Sequence, residues 1–204
     1  MEMIGSSVLL GLNFQISAPH LDSITESEAE KIKSDFDFEE VKLLRDGIQF
    51  EKGFPFVSAT FTKNTVVIYL VYGSINTNLV NLLKAMNLFT DECKLILNKL
   101  EIINTLNVKD PLPELFEESY IDYLKTPVST EIKTEYIIND TNVLFIARFS
   151  DNKNLSIVSV EKNVQITDEE KLSDIIDEYR DIATKTNLDF FMAWPKTRNQ
   201  LKRT

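Results

Sequence analysis

Histidine and cysteine do much of the nucleophilic and metal-binding chemistry of proteins, and this chain of 204 residues holds one of each, His20 and Cys93. A Cys/His zinc site needs three or four such ligands, so none can form within a single chain. His20 follows the break at Pro19 and reads as an exposed loop residue. No serine sits in the glycine-flanked setting of a nucleophile elbow, so a Ser-His-acid triad has nothing to build on. Cys93 stands near Thr90-Asp91, which reads as a helix start, and a helix N-terminus can lower a thiol pKa. The commoner state of a lone cysteine is buried and inert. The five glycines, Gly5, Gly11, Gly47, Gly53 and Gly73, never cluster, which removes the P-loop and the dinucleotide fingerprint. No cofactor is expected.

Carboxylates are plentiful, and Asp35, Asp37, Glu39 and Glu40 are the densest group. Asp35 and Asp37 alternate with Phe36 and Phe38, which reads as a helix end running into a strand, acids in water and rings buried. Acids of this kind can hold magnesium, but no calcium-loop spacing is present. Two carboxylates meeting across the fold could serve a glycosidase-type reaction, yet nothing selects which two. With 32 acidic against 22 basic residues, a net charge of −10, direct binding to a nucleic-acid backbone is disfavoured. The one basic cluster is the tail Lys196, Arg198, Lys202 and Arg203.

What remains is recognition through surface. Residues 112–124 read as an amphipathic helix of Leu115, Phe116, Tyr120, Tyr123 and Leu124, with Glu114, Glu117, Glu118 and Asp122 on or near its polar side. The helix after Thr167 repeats the combination, with Asp174, Asp177, Glu178 and Asp181 beside Tyr179. Acids speed encounter with a basic surface, and tyrosines add contact area with a polar tip. With Trp194, another ring suited to an interface, the candidate partner-binding residues are Glu117, Tyr120, Tyr123, Asp174, Glu178, Tyr179 and Trp194. No catalytic or metal-binding residue is assigned.

The elements that must carry these residues follow from periodicity. Thr65–Tyr72 holds seven apolar or aromatic side chains in eight positions. It reads as the central strand of a sheet, covered on both faces. Ser6–Ala18 alternates Leu10, Leu12, Phe14 and Ile16 with polar or small residues, a further strand. Thr25 and Glu28 form a capping-box signature ahead of a short helix. Residues 40–72 have connections too short for a crossover, so they read as an antiparallel meander. Asn76 or Asn78 caps a helix with Leu79, Leu82, Leu83 and Met86 on one side. From Thr90-Asp91 a second helix is expected, with Leu95, Ile96, Leu97, Leu100, Ile103 and Leu106 round more than half its circumference. Strands follow at 134–138, 143–149 and 155–160, joined by Asn- and Asp-rich turns. Thr167 and Glu170 then read as a capping box ahead of a helix striped with Leu172, Ile175, Ile176, Tyr179, Ile182 and Ala183. Leu188–Trp194 reads as an edge strand or a strap.

The expected fold is α+β: a mixed, mainly antiparallel sheet with helices on one face. Strand, strand, strand, helix recurs at 41–86 and 133–183, which suggests two topologically similar halves, 1–109 and 110–204, or one continuous domain. Residues 1–105 carry 14 acids and 9 bases, and residues 106–204 carry 18 and 13, so acidity is a general surface character. One cysteine fits a reducing, cytoplasmic compartment, and no run is apolar enough to span a bilayer. These features point to a non-enzymatic, acidic, intracellular protein-binding module: an adaptor, an immunity or inhibitor protein, or a complex subunit, with a basic-surfaced partner. Two other readings stand beside it. One is a hydrolase or nuclease-like enzyme using Asp, Glu and Lys alone, favoured if three acids, or two acids and a lysine, meet around a cleft. The other is a structural homo-oligomer, favoured if an apolar strip on an edge strand or a helix lies uncovered.

Overall fold

The computed structural model describes residues 6–72, 76–105, 129–150 and 154–192. Their strands are β1 (Ser6–Ser17), β2 (Glu40–Leu44), β3 (Gly47–Glu51), β4 (Phe56–Thr62), β5 (Thr65–Val71), β6 (Lys94–Thr105), β7 (Ser129–Ile138), β8 (Thr141–Ser150) and β9 (Leu155–Ile166). They make one sheet in the order β2-β3-β4-β5-β1-β6-β9-β8-β7. Every neighbouring pair is antiparallel. The helices α1 (Glu26–Asp35), α2 (Asn76–Ala85) and α3 (Glu169–Met192) pack on one face. None of the described helices is long and apolar enough to cross a membrane.

Local chemistry explains most connections. Thr25 and Glu28 close both bonds of the capping box at α1. The meander runs as expected from β2 to β5, and the β4–β5 hairpin turns on Lys63-Asn64. Asn139-Asp140, both at positive φ, form the two-residue turn between β7 and β8, the geometry that matches strand twist. Phe38 stacks between Phe50 (ring centroids 5.0 Å apart) and Phe56 (5.5 Å), while Asp35 and Asp37 stay exposed.

Several expectations are corrected. Residues 94–105 are a strand, not a helix, because β6 carries a bulge between Leu97 and Lys99. The inward positions shift phase there, from Leu95 and Leu97 to Leu100, Ile102 and Asn104, and the broken period of two imitates a helical one. Thr90-Asp91 opens only a turn, closed by Cys93 N–H donating to the Thr90 carbonyl. The middle of the sheet is β1, with β5 and β6 beside it. Helix α2 already includes Asn76 and Asn78, so Asn78 lies inside it and does not cap it. At α3 the capping side chain is Asp168, not Thr167, because its Oδ1 accepts from Lys171 N–H at 2.8 Å. Residues 188–192 continue α3. The expected helix at 112–124 lies outside the described residues.

The two halves share a path. In each, a first strand (β1 or β6) lies in the middle of the sheet. The chain then returns through a meander (β3-β4-β5 or β7-β8-β9) whose last strand pairs with the first, and a helix follows. The second path begins at β6, whose first residue is Lys94. One continuous core nevertheless spans both halves, and Lys84 of α2 pairs with Glu169 of α3. Buried Asn104 donates to Ser156 Oγ (3.2 Å), which donates to Asn187 Oδ1 (3.0 Å), a polar chain that fixes α3 across β6 and β9.

Candidate functional site

Alternation along each strand divides the sheet into two surfaces. Leu10, Leu12, Phe14, Ile68, Leu70, Leu100, Ile102, Val158, Val160 and Phe145 point to the helices and are fully buried. On the opposite surface, register places Val71 (β5) beside Leu9 (β1), Leu9 beside Ile103 (β6), Ile103 beside Ile157 (β9) and Ile157 beside Ile146 (β8). Five aliphatic side chains thus form one straight row across five adjacent strands. All five are half-buried, and no described helix lies over them. The expectation that the β5 run is covered on both faces holds for one: Val66, Ile68 and Leu70 are buried, while Val67, Tyr69 and Val71 lie half-open on the other.

The next row is built around Gly11. A Cβ there would lie 2.9 Å from a ring atom of Tyr69, so absence of a side chain lets the tyrosine lie flat across β1. Glu101 and Ser159 continue the row, and Ser159 Oγ donates to Glu101 Oε1 at 3.1 Å. Lys99 then bonds Glu101 at 2.6 Å and reaches Glu161 at 3.7 Å. Burial pulls the Lys99 ammonium down, but Glu101 and then Glu161 outweigh it and hold it above its ordinary value.

Other charges on this surface are also matched, within a strand or between neighbouring strands. Lys42 pairs with Glu51 (2.8 Å) and Glu40 (3.4 Å), Lys133 with Glu135 (2.6 Å), and Arg148 with Glu131. Neither a protein-family model nor a curated protein matches this chain.

The residues proposed from sequence scatter. Asp174 and Glu178 are exposed on α3, with Asp181 one turn on. Tyr179 belongs to the core: it has no exposed surface, and its hydroxyl donates to the Lys162 carbonyl at 2.9 Å. The stripe it completes with Ile175, Ile176 and Ala183 faces the sheet, which removes it from the helix's partner-facing side. Glu117, Tyr120, Tyr123 and Trp194 lie outside the described residues. The open-face row was missed, although β5 signalled it: a strand with one solvated face alternates, and this one is apolar at both parities.

Two clefts lie on the helix side. One, of about 240 Å³, is bordered by His20, Glu28, Lys31, Asp35 and Met86. His20 is half-buried there, not exposed, with Nε2 at 3.0 Å from the Met86 carbonyl, which ties the turn Pro19–Ser23 to the end of α2. The other, of about 210 Å³, lies between β7 and α3 beside Tyr136, Phe145, Thr186 and Asp189. The Tyr136 hydroxyl lies near Thr186, whose buried Oγ1 makes no full hydrogen bond. Cys93 is half-buried, and burial raises its thiol pKa, away from a reactive thiolate. Among the described residues no group of three His, Cys, Asp or Glu side chains is placed to hold a metal ion.

Proposed function

We propose that this protein acts in the cytoplasm by binding protein, without catalysis of its own, and that the open face of its sheet is the binding surface. The row Val71-Leu9-Ile103-Ile157-Ile146 carries this reading. An in-register aliphatic row at the middle of a sheet face is what an interface core requires, ringed by polar residues that can stay paired. The acids Asp174, Glu178 and Asp181, exposed on the helix side, form a separate surface that would attract a basic partner. A photo-reactive residue in place of Tyr69 tests the reading in the native cell. Discrete cross-linked protein products are expected from Tyr69, lost when Ile103→Asp is added. Products only from the same group placed at Asp174 would move the interface to α3, and none from Tyr69 would sink the reading.

One observation speaks to the enzymatic alternative: Lys99 does meet two carboxylates. A nucleophilic or basic lysine needs its pKa lowered, whereas Lys99 is held up by those same acids. The cluster also lies on the open sheet surface, while the described clefts are on the helix side. It serves better as a paired charge beside an apolar contact.

A further inference from the structure

We infer that the occupant of the open face is a second copy of this chain, docked sheet to sheet about a two-fold axis; this rests on the binding reading above. Three observations select it.

The first is shape. A straight row of five aliphatic residues can lie across its own image under a two-fold rotation, which an isologous contact demands. The row spans β5, β1, β6, β9 and β8, the middle of the nine strands, so the axis has sheet on both sides of it. At strand spacings near 4.8 Å and rises near 3.3 Å per residue, the face measures roughly 900 Å², against about 800 Å² per partner in a standard stable interface.

The second is charge. The chain carries −10 overall, which opposes contact between copies wherever the acids lie. On this face Lys42, Lys99, Lys133 and Arg148 each pair with a glutamate of the same surface. Burial against another copy therefore leaves these charges with their partners, and a broken buried pair is the costly case. Asp174, Glu178 and Asp181 sit on α3, so in a sheet-to-sheet pair the two helix layers and their acids stay outside, far apart.

The third is sequence. β5 is apolar at both parities, the pattern of a strand buried on both sides, and the described helices cover only one of them. A second sheet about 10 Å away supplies the missing cover.

The test is the mass of the full chain by light scattering and sedimentation across micromolar concentrations. Twice the chain mass of 23.5 kDa is expected, with Ile103→Asp and Ile157→Asp raising the dimer dissociation constant at least about 100-fold. Far-ultraviolet dichroism and urea midpoints establish that these variants fold. Leu188→Asp, at an exposed position of α3 on the helix side, leaves the dimer unchanged. A second readout does not depend on an aspartate variant folding. A spin label on Tyr69→Cys, with Cys93→Ser, should meet its counterpart within about 20 Å across the paired sheets. The same label at Asp174→Cys should see no counterpart at that range. A monomer at every concentration overturns the inference, and so does a dimer lost in Leu188→Asp but kept in both row variants. A monomer that still yields Ile103-dependent cross-links to a different protein overturns self-association alone and leaves the binding reading standing.

Discussion

The Tyr179 hydroxyl works inside the core, where burial and then the Glu178 carboxylate push its pKa up to about 12 from an ordinary value of 10.0. The fold therefore favours the neutral phenol, which donates to the Lys162 carbonyl. That stabilisation is whole below pH 10 and drains away as pH climbs toward 12. Tyr179→Phe should cost about 1 kcal/mol at neutral pH and flatten the loss of stability between pH 10 and 12, read from urea unfolding at each pH. Two glycines give a contrasting pair. At Gly47 a Cβ would lie 1.9 Å from the Phe61 carbonyl oxygen, fixed backbone, whereas at Gly11 the obstacle is the Tyr69 ring. Gly47→Ala should cost about 3 kcal/mol. Gly11→Ala should stay within about 1 kcal/mol, lift Tyr69 off the sheet and weaken dimerisation. Thermal melts and sedimentation separate the two effects. Gly47 is constrained by the next strand, β4, whereas the constraint on Gly11 comes from β5 and β6, far along the chain.

At the scale of elements, β6 holds the instructive difference. Its bulge adds Asn98 between Leu97 and Lys99, and the Asn98 side-chain oxygen is buried without a hydrogen-bond partner. Removing Asn98 leaves Leu95, Leu97, Leu100 and Ile102 alternating inward without a break. The deletion should fold, with stability changed by no more than about 2 kcal/mol. Deleting Glu101 instead would turn Ile102 and Asn104 outward and should abolish cooperative urea unfolding, because a one-residue slip moves each later side chain to the other face. Helix α1, by contrast, was legible from Thr25, Glu28, Ala29 and Ile32, since capping and helical spacing are local. The strands of both meanders were equally legible from short turns such as Asn139-Asp140. For β6 the deciding partners are β1 and β9, and the β9 pairing joins residues more than fifty positions apart.

For the whole molecule, two similar chain paths meet at the β1–β6 pairing and leave one face of the sheet without a described helix. A monomer that keeps the row Val71-Leu9-Ile103-Ile157-Ile146 in water forgoes favourable burial of apolar surface. Pairing of two copies links stability to concentration. The melting midpoint of the full chain should therefore rise with protein concentration, and that rise should vanish in Ile103→Asp. Differential scanning calorimetry over a wide concentration range measures it. A midpoint independent of concentration in the wild-type chain would count against sheet-to-sheet pairing.

Local patterns in the sequence determined the α+β class, the antiparallel meanders, the caps of α1 and the inward stripe of α3, because each depends on residues within a turn or a hairpin of one another. The exclusion of Cys/His zinc chemistry followed from counting ligands. Tertiary structure decided which strand is central, which face the helices take and where the candidate site lies. Leu9, Val71, Ile103, Ile146 and Ile157 come from five separate strands. They form a row only through the register of four strand pairings, three of them long-range, and register is a property of the assembled sheet.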